Sequence, residues 1–118
     1  MNTTSDLQSK RTVAMLWLIS AHTSLLVASN AGGAKMIALP GGLAASATVF
    51  SYALTFPIAD IINELGGPRT ARRAVNIGFM ALVILVGFLT LCIYAPPASF
   101  WNDQAAFEKT LGFGWRIL

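Results

Sequence analysis

The sequence predicts an all-α fold: a polytopic helical membrane protein with about three transmembrane helices plus one short interfacial helix. Three observations predict it. Apolar residues make up 55% of the 118-residue chain and charged residues only 11%, where soluble chains run near 25% charged. The charges are bunched, and they leave uncharged runs close to the about 20 residues that a helix needs to cross hydrocarbon. The runs are separated by Gly and Pro clusters and by basic residues, the punctuation expected of membrane segments.

The same inventory excludes other classes. The chain has one cysteine, Cys92, and one histidine, His22. It can close no internal disulfide, and it has no metal-ligand spacing. No nucleophile–base pair is visible, so an enzyme is not expected, and no cofactor is implied. The net charge of +3 is small and sits at segment ends. It reads as a topology signal and not as a nucleic-acid footprint.

Residues 1–11 are polar and are expected to form a loose tail. A membrane domain over 12–118 follows, beginning after Lys10 and Arg11 with a first span over 12–29. A cleaved signal peptide has the same outline, but two further spans follow, and a retained span is preferred. His22 lies mid-span and is expected to be a hydrogen-bonded interior residue. The connection from Asn30 to Gly42 holds three breakers, Gly32-Gly33, Pro40 and Gly41-Gly42, around a short extended piece at Met36 to Leu39. It reads as a loop or a re-entrant segment.

The second span is expected over 43–65. Its first half, with Ala44, Ala45, Ser46, Ala47 and Thr48, would let helices approach closely. Pro57 is expected to kink it just before Asp60. The third span, over 74–94, carries no formal charge, and Pro96-Pro97 ends it. Phe100 and Trp101 read as an interfacial anchor. A surface helix is expected over 102–111, capped by Asn102 and stopped by Gly112. Residues 116–118 read as the start of a further span. Placing Lys10, Arg11, Arg69, Arg72 and Arg73 on one side predicts a cytoplasmic amino terminus.

Asp60 and Glu64 are the most telling residues. They are four apart, so a helix puts them on one face, with Asn63 beside them. A charge near the bilayer centre costs about 2.5–3.5 kcal/mol even on the gentle insertion scale. Intramembrane acids are therefore functional candidates. The competing reading makes them ordinary helix-end charges paired with Arg69, Arg72 or Arg73.

With these motifs in order, the chain resembles the queuosine-precursor transporters, the VUT family of multispan membrane proteins. The resemblance rests on Ser29-Asn30 with Lys35 following, and on Phe56-Pro57 with Asp60 and Glu64. It continues in Gly66 with Ala71-Arg72-Arg73, and in the run from Ala95 to Trp101 with Gln104, Phe107, Leu111-Gly112 and Arg116. Leu65 stands where the family has an aromatic residue. Members of that family are longer, so the resemblance implies an amino-terminal half or a truncated member. It implies import of 7-cyano-7-deazaguanine or 7-aminomethyl-7-deazaguanine across the inner (plasma) membrane, in the service of tRNA modification.

Such a ligand is flat, with N–H donors beside an acceptor oxygen. Asp60 and Glu64 are candidates for its donor edge. Asn30, Asn63 and Lys35 are candidates for its acceptor edge. Phe56, Tyr52 and Trp101 are candidates for stacking on its plane. The partners expected are this small molecule, the lipid bilayer, and either a second copy or a missing C-terminal half, with no nucleic acid. The rival class is a small non-transporting membrane subunit packed against partner helices.

Overall fold

A computed structural model describes residues 3–112. The element order is α1 (Thr3–Ala31), β1 (Met36–Leu39), β2 (Leu43–Ser46), α2 (Val49–Tyr94) and α3 (Gln104–Leu111). α1 and α2 are long and apolar enough to cross a membrane. The further span expected at 116–118, and Arg116 with it, lie outside the described residues.

α1 begins earlier than expected. Most of the segment read as a loose tail is helical from Thr3. Once the apolar run has nucleated a helix, each added residue gains a bond at little cost. The exposed pair between Lys10 Nζ and Asp6 Oδ2, 3.0 Å at i,i+4 spacing, adds a few tenths of a kcal/mol.

β1 and β2 form an antiparallel hairpin in which Met36 faces Ser46 and Leu39 faces Leu43. Gly41 and Gly42 make its tip with φ of 86° and 77°, a region that L side chains rarely adopt. The extended piece at Met36–Leu39 is thus present, but Leu43–Ser46 is also extended. This corrects the expected start of the second span, which falls at Val49. Ala44, Ala45 and Ser46 pair with β1 and do not line a helix–helix contact. The two tip glycines reverse the chain and keep those residues within reach of β1.

α2 is two helical arms, residues 49–66 and 68–94, joined at Gly67, whose φ of 75° and ψ of 172° are not helical. Pro57 leaves the dihedral angles helical, because its ring holds φ in the helical range. Pro57 thus causes no break in the helical dihedral angles, and the chain reverses at Gly67, between the expected second and third spans. A helix end leaves carbonyls without partners. Two of them are answered here. The Arg11 guanidinium donates to the Leu65 carbonyl. Thr70 Oγ1 donates to the Gly66 carbonyl at 2.7 Å. Pro68, which has no N–H to satisfy, opens the second arm.

The contacts fix the directions of the three rods. Ser29 meets Ser51 and Arg11 meets Leu65, so the first arm runs antiparallel to α1. Gly66 lies against Met15, while Gly78 lies against His22 and Leu26. The second arm therefore returns alongside α1 in the same direction.

One stripe of α1, containing Arg11, Met15, His22, Leu26 and Ser29, makes these contacts at helical spacing. The interior is thin and partly polar: Ile62, Ala74 and Val86 are buried, but so are His22, Ser29 and Thr55. Trp17, Leu54, Phe79, Ile84, Phe88 and Leu91 face outward.

α3 lies against the end of the second arm, where Gln104 Nε2 donates to the Ile93 carbonyl at 3.0 Å. The helix starts after Asp103, without a side-chain cap. Asn102 is therefore not its N-cap. Trp101 packs edge-to-face on Phe107, ring centroids 6.1 Å apart.

A Cβ built on Gly78 would come 2.6 Å from Leu26 Cδ1, while one on Gly87 meets nothing within 4 Å. Gly78→Val is therefore expected to destabilise the protein by about 1–3 kcal/mol. Gly87→Ala is expected to leave stability near or slightly above the parent value. Thermal unfolding in detergent checks both.

Candidate functional site

The carboxyl end of α1, the base of the hairpin and the start of α2 enclose a cavity of about 380 Å³. Its polar lining is Ser29, Asn30, Ser46, Thr48 and Tyr52, and Leu26 and Leu82 supply apolar walls. Two hydroxyl pairs organise it. Ser46 Oγ and Thr48 Oγ1 are 2.8 Å apart, and Ser46 Oγ donates to the Gly33 carbonyl at 3.2 Å. Each proton in that pair has an acceptor.

Ser29 Oγ and Ser51 Oγ are also 2.8 Å apart. Ser29 reaches the Leu25 carbonyl at 2.7 Å and Ser51 the Thr48 carbonyl at 3.0 Å. Each hydroxyl has one proton. These three contacts share two protons, so this pair is short of donors and rich in lone pairs. A ligand carrying N–H groups complements it.

Of the residues singled out from the sequence, Asn30 and Tyr52 meet at this cavity. Tyr52 packs edge-to-face on Phe56 at 5.5 Å between ring centroids. Tyr52, Phe56, Asp60 and Glu64 follow one another at i+4 steps. Each step drifts about 40° round a helix of 3.6 residues per turn. The line therefore starts at the cavity and winds outward along the first arm. Asp60, Asn63 and Glu64 are exposed.

Among the described residues, Asp60 and Glu64 make no ion pair with Arg69, Arg72 or Arg73. Lys35 is exposed just before β1, and its backbone carbonyl accepts from the Ala47 N–H at 2.8 Å. Trp101 lines a separate recess with Phe107 and Leu111.

Sequence reasoning passed over Ser29, Ser46, Thr48 and Ser51 as binding residues. One signal was available: Ser29 stands seven residues after His22, so the two share a face of α1. The pairing of Ser29 with Ser51 was not readable, because it depends on how two spans register. His22 is buried as expected, but its Nδ1 lacks the hydrogen bond expected of it.

Long apolar helices that turn large side chains outward and hydroxyls inward define an integral helical membrane protein. A family model described as "Putative vitamin uptake transporter" matches residues 46–118. The chain belongs to that family, which is one of transport proteins and not of enzymes.

A "Probable queuosine precursor transporter" of Bacillus subtilis (strain 168) is 36% identical over 76 residues, covering 64% of this chain and 33% of that protein. The matched segment thus spans about a third of the curated relative's length. No solved structure matches.

Side-chain hydrogen bonds between transmembrane helices contribute on average about 0.6 kcal/mol. A double-mutant cycle of Ser29→Ala and Ser51→Ala is expected to give a coupling of that order in reversible unfolding from detergent. Strictly additive effects would mean that the two hydroxyls do not meet.

Proposed function

We propose that this chain forms part of the substrate path of a membrane transporter for queuosine precursors, 7-cyano-7-deazaguanine or its aminomethyl relative. The observation that carries this reading is the shared placement of Asn30 and Tyr52 at one cavity with a donor-poor hydroxyl pair behind it. Its volume falls within the range of about 300–1,000 Å³ that small-molecule sites occupy. The identity to the Bacillus subtilis relative supplies the substrate class.

In this reading Tyr52 and Phe56 offer aromatic surface to the deazapurine plane. The Asn30 amide donates to the ring carbonyl. The N–H edge turns toward lone pairs, first those of Ser29 and Ser51, then the carboxylates of Asp60 and Glu64 as the ligand moves down the first arm. A carboxylate accepts two parallel N–H bonds well. Asn63 lies on the same path, Lys35 guards its mouth beside the hairpin, and Trp101 stands at the flanking α3.

The exposed acids also need cover from hydrocarbon, which a second copy or further transmembrane segments would give. The arms act as separate crossings, three with α1. The basic cluster Lys10, Arg11, Arg69, Arg72 and Arg73 faces the cytoplasm of a cell whose inner membrane holds the protein.

Uptake of labelled 7-cyano-7-deazaguanine by cells unable to synthesise it tests the proposal. Charge-assisted hydrogen bonds contribute about 1.5–3 kcal/mol. Asp60→Asn is expected to lower uptake about ten- to hundredfold at matched expression, and Asn30→Ala and Tyr52→Leu, which remove a neutral hydrogen bond and an aromatic contact, about two- to tenfold each. Full uptake by Asp60→Asn removes that acid from the path. Full uptake by both Asn30→Ala and Tyr52→Leu removes the cavity.

A further inference from the structure

The stripe of α1 that packs on α2 has His22 at its middle, seven residues from Ser29 and eleven from Arg11. The imidazole is 6% exposed. Its Nδ1 has no hydrogen-bond partner, and the neighbouring Thr23 Oγ1 is equally buried and unpartnered. Thr12, Ser29, Thr70 and Thr90 all return their hydroxyls to the carbonyl four residues back. Thr23 does not. An unpaired buried polar atom carries a desolvation penalty that ends only when water or another partner reaches it.

We propose that His22 is the proton-binding residue of a proton-coupled transport cycle. In this cycle the charged imidazole opens the seam between α1 and the second arm, and the neutral imidazole closes it. The proposal rests on the transporter reading above and adds the coupling ion and its seat.

The seam is tightest beside the ring. A Cβ on Gly78 would lie 2.6 Å from Leu26 Cδ1 and 4.0 Å from His22 Cδ2, so the closed seam leaves no layer of water there. The charged groups of every packed element face elsewhere. On α1, Asp6 and Lys10 pair with each other in the open, and Arg11 is spent on the Leu65 carbonyl. On the first arm, Asp60 and Glu64 are exposed and project from the side opposite buried Thr55 and Ile62. On the second arm, Arg69, Arg72 and Arg73 are exposed near the reversal. Lys35 by the hairpin and Lys109 on α3 are exposed at the other end of the bundle.

An imidazolium in the closed seam would therefore be a buried charge without a counter-charge. Hydrating it requires α1 and the second arm to part. Leu26 stands between His22 and the hydroxyl cavity and also lines that cavity. Parting the seam therefore moves a cavity wall.

The proton binds the open arrangement better than the closed one, which is the differential affinity that a population shift requires. One proton passes from water on the outer side to the unprotonated ring nitrogen of His22 and is released to water on the inner side, one for each substrate molecule. No other bond is made or broken.

Two measurements on the full protein test this. His22 is the single histidine of these 118 residues, so ¹⁵N-histidine NMR of this chain in lipid nanodiscs reports it alone. The imidazole signal and the methyl signals of Leu26 are expected to move together as the sample is acidified. An imidazole signal that stays constant on acidification, or one that moves and leaves Leu26 unmoved, overturns the proposal.

In proteoliposomes, an inside-alkaline pH gradient is expected to stimulate uptake of labelled 7-cyano-7-deazaguanine about five- to hundredfold. His22→Gln, which keeps a neutral hydrogen-bonding side chain, is expected to lose that stimulation and retain exchange without a gradient. Undiminished stimulation in His22→Gln overturns the proposal. Wild-type vesicles that move no deazapurine, while His22 titrates together with Leu26, would sink the substrate reading and leave the proton-driven seam standing.

Discussion

A carbonyl released at the end of a helix has to find another donor, and the reversal at Gly67 meets that constraint within the chain itself. The Arg11 guanidinium and the Thr70 hydroxyl take the carbonyls of Leu65 and Gly66. Glycine supplies a dihedral angle closed to other residues, and Pro68 begins the next arm without an idle N–H. With those bonds in place the second arm can lie beside α1. The cavity, the seam at Gly78 and the burial of His22 all follow from that fold-back.

The interior is organised by polarity in the reverse sense of a soluble bundle. Ile62 and Ala74 provide apolar contacts, but the long-range polar contacts between helices include Ser29 with Ser51, and His22 lies buried among them. In lipid an outward Leu or Phe is already in its preferred solvent. Helices then associate through close packing of small residues and through hydrogen bonds. Gly66 against Met15 and Gly78 against Leu26 supply the first. The serine pair supplies the second.

Much of this was legible in the residues. Apolar runs and basic flanks gave the membrane class. The cluster Gly66-Gly67-Pro68 was readable as a stop, and Met36–Leu39 as extended. The bend expected at Pro57 has no break in the dihedral angles behind it, because proline is compatible with helical φ, while Gly67 at positive φ is not. Ala44 to Ser46 looked helical because small residues suit both a tight helix contact and a strand. The tip glycines at 41 and 42 decided for the strand. At the site, Asn30 and Tyr52 were found through their chemistry. Ser29 and Ser51 were missed because their value depends on an inter-helix register that no single segment encodes.

The brevity of the junction at Gly67 has a mechanical consequence. With one residue between them and bonds bracing both sides, the two arms of α2 form a stiff fork with no slack to swing apart. Along the chain, α1 is joined to that fork by a narrow ribbon turning on two glycines, and across the bundle by the bonds of Arg11 and Ser29. Relative displacement within this part of the molecule should therefore concentrate at α1, sliding or tilting as a single lever against a fixed frame.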